Sequence, residues 1–243
     1  MQTSEILKTG IVLRCSDYKE ADAMVNALGK DGFFSFRARG IRKLTSKNAP
    51  SVQPFSYSQF SLFKSNGGGL TLKEASPLSF YGPKEDLAES AVATFLQELT
   101  LRIVQEDEAP EAFPYLLKAL ELIKSGKDPL TMGLLYFAKV LSIGGYGLEV
   151  GECVLCHGKR NVVSLSYEEG GFVCADDFDP SIHEKTPVRI LQITRFLFRC
   201  EAKDFERVSF SPSECLLFYK NLAQYLENLT GVRLKSVSLL SVL

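Results

Sequence analysis

Three cysteines and an aspartate are spaced as metal ligands are. Cys153, Cys156 and Cys174 follow the pattern C-x2-C-x17-C, and Asp177 stands where a second C-x2-C pair would end. Two thiolates three positions apart reach one ion when the backbone between them turns tightly, and Gly158 is placed to permit that turn. The third cysteine returns on the far arm of a hairpin read from VVSLSY, the turn EEGG and FVC. This is the spacing of structural zinc sites, in which a carboxylate is an accepted though less usual ligand. Asp177 is therefore the expected fourth ligand, with Asp176, His183 and water as alternatives, while His157 should point to solvent. Arms this short hold no core of their own, so a metal cross-link would supply most of their stability.

Other readings stay open for the same residues. CVLCH matches the C-x-x-C-H signature of c-type haem attachment, which requires export. A redox C-x-x-C belongs beside a βαβ unit at a helix start, whereas Gly151 and His157-Gly158 flank this pair. The three could also be unrelated core cysteines, as Cys15, Cys200 and Cys215 are expected to be from their apolar surroundings. Structural zinc is the reading favoured. No catalytic set accompanies it: His157 and His183 are the only histidines, and no G-x-S-x-G, H-E-x-x-H or P-loop occurs. A metal hydrolase, with Asp177 leaving a labile position, is the remaining enzymatic reading, and an enzyme is not expected.

A second group of residues suits a polyanion. The formal net charge of −1 hides an asymmetry, because residues 1–80 carry eleven Lys/Arg against six Asp/Glu. Residues 32–73 contain seven basic residues and no acidic one, which points to a surface that faces nucleic acid. Arg37, Arg39, Arg42, Lys43 and Lys47 fall within eleven residues, with Arg14 on an earlier strand and Lys64 near the end of a later one. Phe33, Phe55, Tyr57 and Phe63 are interleaved with them. Cations that follow phosphates and aromatic faces that stack bases are the means by which single strands are held. Phe34, Phe36 and Phe60 are instead expected to fill a barrel.

Five short strands are predicted to carry these cations: 4–15, AMVNAL, GFFSFRARGI, FSYSQFSLF and LTLKEAS, joined by a Gly29–Gly32 turn, a polar loop at 42–54 and the turn SNGGG at 65–69. In GFFSFRARGI the apolar residues alternate with Ser35, Arg37 and Arg39, so the arginines share the outer face. A small closed barrel fits this pattern. Helical spacing begins at Pro83, with Leu87, Ala91, Phe95, Leu99 and Ile103 on one face. It continues at 111–124 and 129–143, and again at 187–200 and 212–229 after the cysteine segment. The fold class is thus α+β and multidomain: a barrel at 1–80, a helical domain at 81–149 and 184–243, and a zinc-finger-like insertion at 150–183. No stretch approaches the roughly eighteen apolar residues of a membrane span and no export segment is read, so no membrane is expected and the cytoplasm is the default.

IVLRCSDYKEAD, then RARGIRK and QPF, the helical body, the C-x2-C segment and a closing RLKS come in an order that resembles the bacterial RecO family of recombination and DNA-repair mediators. The resemblance spans the whole chain. It implies an N-terminal OB-fold, a helical domain and, as in many members, a four-cysteine zinc segment. It further implies binding of single- and double-stranded DNA, annealing of complementary strands, and cooperation with RecR. With RecR, such proteins help RecA load onto DNA coated by single-strand DNA-binding protein, whose acidic C-terminal tail they grip, so a nucleoid-associated place in the cytoplasm is implied. Lys118, Lys124 or Lys139 is the cation expected to meet that tail. Asp177 departs from the family pattern, which has a fourth cysteine there. An RNA-binding or ribosome-associated zinc module is the alternative that the same residues allow.

Overall fold

The computed structural model describes residues 4–64 and 68–243; most of the SNGGG turn lies outside them. Five strands come first: β1 (Ser4–Tyr18), β2 (Asp22–Gly29), β3 (Gly32–Ala38), β4 (Ser56–Lys64) and β5 (Leu70–Phe80). β1 pairs antiparallel with β2 along one half and with β4 along the other, and β2 with β3 and β4 with β5 complete an OB-fold order, β1-β2-β3-β5-β4. The circle is joined between β3 and β5 by a single ladder position, Arg37 opposite Thr71. The fully closed barrel that strand count and turns predict is therefore realised as a partly open one, which is usual for this fold. Alternation does what period two requires: Phe34, Phe36 and Ala38 are buried while Ser35 is exposed. Phe34, Phe36 and Phe60 fill the interior, with ring centroids 4.9–6.1 Å apart.

The helical body begins with α1 (Leu87–Ile103), whose N-cap Asp86 accepts from the Glu89 N–H at 2.8 Å. Pro83 thus precedes the helix instead of opening it, because the aspartate cap satisfies an end N–H that the proline cannot. α2 (Ala109–Lys124), α3 (Pro129–Ile143), α4 (Val188–Arg199) and α5 (Pro212–Thr230) follow, with a last turn, α6 (Val237–Leu240). α3 is buried all round, every residue from Leu130 to Leu141 included, and it packs on α1, α2, α4 and α5. Its Gly133 explains how closely α5 approaches. A Cβ there would lie 2.3 Å from Tyr219 Oη and 2.8 Å from Val92 Cγ1. Ile11, Leu13, Leu28 and Phe55 of the barrel belong to the same apolar cluster as the helices.

Between α3 and α4 an arm holds three more strands, β6 (Glu149–Cys153), β7 (Val162–Ser166) and β8 (Gly171–Cys174). The hairpin β7–β8 is as the sequence predicts. β6 is an addition: it runs parallel to β8, placing Cys153 beside Phe172. Gly171 is needed because a Cβ would meet the Glu149 carbonyl at 2.4 Å.

Candidate metal centre and nucleic-acid interface

The arm brings its four candidate ligands to one point. Cys153, Cys156, Cys174 and Asp177 each offer a ligand atom, and these atoms lie within 4.8 Å of one another. Cys153 and Cys174 Sγ are each 3.1 Å from Asp177 Oδ2, and Cys156 and Cys174 Sγ are 3.7 Å apart. Four ligands around a tetrahedral zinc at about 2.3 Å for sulfur and 2.0 Å for oxygen would be separated by about 3.8 Å (S···S) and 3.5 Å (S···O), so the donor set fits zinc. The tight turn is made differently from the glycine expectation. His157 adopts the left-handed conformation, φ 61°, and a Cβ on Gly158 would stand only 3.2 Å from Cys156 Sγ. His157 does point to solvent, its Nδ1 2.9 Å from Glu152. His183 is occupied elsewhere, between Glu169 and the Asp179 N–H, and Asp176 stands exposed outside the cluster.

The electrostatics of the cluster show what a bound cation would change. Asp177, accepting from Cys156, Cys174 and Cys153, has its carboxyl held below the usual range. That same carboxylate pushes the Cys156 thiol up to about 12 and raises Cys174 as well. Burial raises the Cys153 thiol, yet N–H groups of Cys156, Cys174 and Leu155 outweigh this and lower it. A divalent cation bound here would displace the thiol protons and take their place beside the Asp177 carboxylate.

On the barrel, the structure sorts the seven sequence-predicted cations. Arg37 lies on β3 with Nε and Nη2 donating to Asp22 Oδ2 at 2.9 and 2.5 Å, and Asp22 also accepts from the Gly40 N–H at 2.7 Å. Arg42 pairs with Asp17 at 2.6 Å. Both acids come from the β1–β2 hairpin, outside the acid-free segment, so composition along the chain misses them. Arg39, Lys43 and Lys47, on the loop after β3, are exposed and make no ion pair among the described residues; nor do Arg14 and Lys64. The β3–β5 seam places Lys64 two strands from Arg37, about 10 Å at ordinary strand spacing, through Thr71 and its partner Phe63. Arg14 sits opposite Asn26, whose amide donates to Ser35 on β3. The cations are thus spread over β1, β3, the loop after β3 and the end of β4; an OB-fold uses its β2–β3 face and adjoining loops for oligonucleotides.

The aromatic half of the expectation is corrected. Phe55 and Tyr57 turn inward: Phe55 is buried and Tyr57 packs on Tyr81 and Phe113 of the helical body. Phe33 packs there too, and Phe63 lies under Lys73. Period two cannot tell barrel interior from the surface that a helical neighbour covers. The aromatic that does face the cations is Tyr18, 41% exposed, with Arg37 over its ring at 5.1 Å and Lys19 at 5.7 Å. Its signal in the sequence was SDYKE, a polar turn with a single ring.

Among the helical lysines, Lys118 pairs with Glu206, and Lys124 donates to Ser79 at 2.7 Å beside the Tyr81 ring. Lys139 is only 6% exposed, lies over the Tyr115 ring and has no carboxylate partner among the described residues. Among the described residues no helix is long and apolar enough to cross a membrane.

Comparison with known proteins agrees with this architecture. The family description "Recombination protein O N terminal" matches residues 1–81 and "Recombination protein O C terminal" residues 84–238. The DNA repair protein RecO of Bacillus subtilis (strain 168) is 29% identical over 235 residues, covering 93% of this chain and 90% of that protein. Those of Halalkalibacterium halodurans and Bacillus velezensis are 24% and 28% identical, each again over 93% of this chain and 91% and 90% of theirs. An OB-fold barrel, a helical body and a cysteine arm, matched along nearly all their length, make this chain a member of the recombination protein O family.

Proposed function

We propose that this chain is a non-enzymatic DNA-repair and recombination mediator that binds single- and double-stranded DNA and anneals complementary strands. One observation supports the reading: Arg39, Lys43 and Lys47 stand, without an ion pair among the described residues, on the loop that follows β3 of an OB-fold, in a family whose relatives are named for DNA repair. Phosphate repulsion is the main obstacle to bringing two strands together, and a row of unpaired cations lowers it. Base pairing then supplies the driving force, so no nucleotide is consumed. Arg37 and Arg42 serve to pin the loop against Asp22 and Asp17. The barrel of 1–80 is the nucleic-acid domain, the helical parts dock partners, and the 150–183 arm is a zinc-stiffened fixture.

RecR is the proposed partner, with RecA loaded indirectly on DNA coated by single-strand DNA-binding protein. The acidic tail of that protein would fit the groove of about 520 Å³ along α4, lined by Phe196, Cys200, Arg195 and Arg199. Lys139, whose charge acts on Cys200, lies behind it. Annealing of complementary oligonucleotides precoated with single-strand DNA-binding protein is the test. Arg39→Glu with Lys43→Glu should abolish most of the acceleration; wild-type rates in that variant would remove the barrel face from the mechanism. Preference for RNA with no annealing of coated DNA would instead select the RNA-binding alternative.

A further inference from the structure

A cleft of about 430 Å³ lies between α5 and the segment that follows it. Lys220 of α5 lines one wall, and Arg233 and Lys235 line the other. All three are exposed, and none enters an ion pair among the described residues. Leu234, between the two cations of the connector, is buried, so both side chains emerge on the solvent side. One carboxylate, Glu227, borders the cleft against these three cations.

The connector is held in place by α1. Glu98 accepts from the N–H groups of Lys235 and Ser236 at 3.0 and 2.7 Å and from Ser236 Oγ, while Arg102 donates to the Arg233 carbonyl at 2.7 Å. These bonds keep the Glu98 carboxyl ionised against its burial, and they direct its charge at the backbone, leaving the connector cations unneutralised. Its neighbour Gln97 donates to the Leu13 carbonyl of β1, next to Arg14. One turn of α1 therefore fastens both the barrel strand that carries Arg14 and the connector that carries Arg233 and Lys235.

We propose that this cleft is a second site for backbone phosphates, which takes up the same nucleic-acid strand after it leaves the barrel face near Arg14 and crosses α1. The inference rests on the barrel reading above and extends the path of the strand. A track of this kind makes binding depend on strand length, because a short oligonucleotide occupies the barrel alone.

The test is fluorescence anisotropy of labelled oligothymidylate at two lengths, about 8 nucleotides for one barrel and about 30 for the track, over a salt series. Arg233→Glu with Lys235→Glu should leave the short strand unaffected. On the long strand, two lost phosphate contacts should flatten the log–log salt slope by about 1.4, so that wild type loses about seven-fold more affinity than the variant between about 50 and 200 mM salt. Lys220→Glu, on a separate element, should give about half that change in slope. Wild-type long-strand slopes in both variants, with wild-type melting temperatures, would overturn the cleft. So would unchanged DNA binding with lost binding of polyglutamate, which would mark a site for an acidic protein segment. Arg39→Glu with Lys43→Glu separates the two readings: if it weakens both lengths while the cleft variants change nothing, only the cleft falls. If it weakens neither, the barrel reading falls.

Discussion

Removing a carboxylate from the barrel should strengthen nucleic-acid binding. Asp22 accepts from Arg37 twice and from the Gly40 N–H. Asp22→Asn keeps an oxygen for Gly40, so the loop carrying Arg39 and Lys43 stays in position, while the charge that neutralises Arg37 disappears. Arg37 then counts as one further phosphate contact, which should steepen the log–log salt slope for single strands by about 0.7 and raise relative affinity about 2.6-fold on going from about 200 to 50 mM salt. The Gly40 N–H, and next Arg37, hold the Asp22 carboxyl below its ordinary value. Its ionised form is thus complete at neutral pH, where the difference between variant and wild type is full. Because the folded-state pKa is depressed, any stability from the pair is present above the unfolded pKa and is lost as pH falls through the folded one. Anisotropy titrations of one oligonucleotide against salt at neutral pH, beside a melting curve, measure this. An unchanged or shallower slope in a variant that melts like wild type would refute the reasoning, because Arg37 would then lie off the path of the strand.

Three further outcomes follow from the geometry. Purified protein should carry one zinc per chain, lost in Cys174→Ser and weakened in Asp177→Asn; elemental analysis and chelator competition read both. Gly133→Ala should lower unfolding free energy by about 1–3 kcal/mol through overpacking, since its new methyl meets Tyr219 and Val92; denaturant titration reads the loss. Glu214, held at about 2 by Arg189 and the Ser211 N–H, caps α5. Its contribution is complete above the unfolded carboxylate pKa and disappears as pH falls toward about 2, so Glu214→Gln should melt lower at neutral pH and converge with wild type near that pH.

The sequence carried much of this, for identifiable reasons. Strand alternation in GFFSFRARGI located the barrel interior, and helical spacing located α3 at 129–143, because both depend on local periodicity. Cysteine spacing named the three thiols, and a count of three positions named Asp177, since the second knuckle is itself local. What escaped were the relations between distant segments. Asp17 and Asp22 reach Arg42 and Arg37 across the sheet, Phe55 and Tyr57 are covered by helices that follow in the chain, and β6 joins the arm only by pairing with β8. The left-handed turn falls on His157, while Gly158 answers a different need: a Cβ there would stand against Cys156 Sγ, a constraint that exists only once the sulfurs converge.

The apolar cluster that runs from Ile11, Leu13, Leu28 and Phe55 into the helices bears on how this molecule moves. A barrel on a hinge would need a dry, separable boundary, and here the boundary is interior. Excising residues 1–81 would lay bare Leu13 and Phe55, so the fragment should be prone to aggregate, and the intact chain should lose barrel and body in one cooperative transition. Any change in the spacing of bound strands must therefore come from the nucleic acid or from a partner, with the protein acting as a rigid former on which they are arranged.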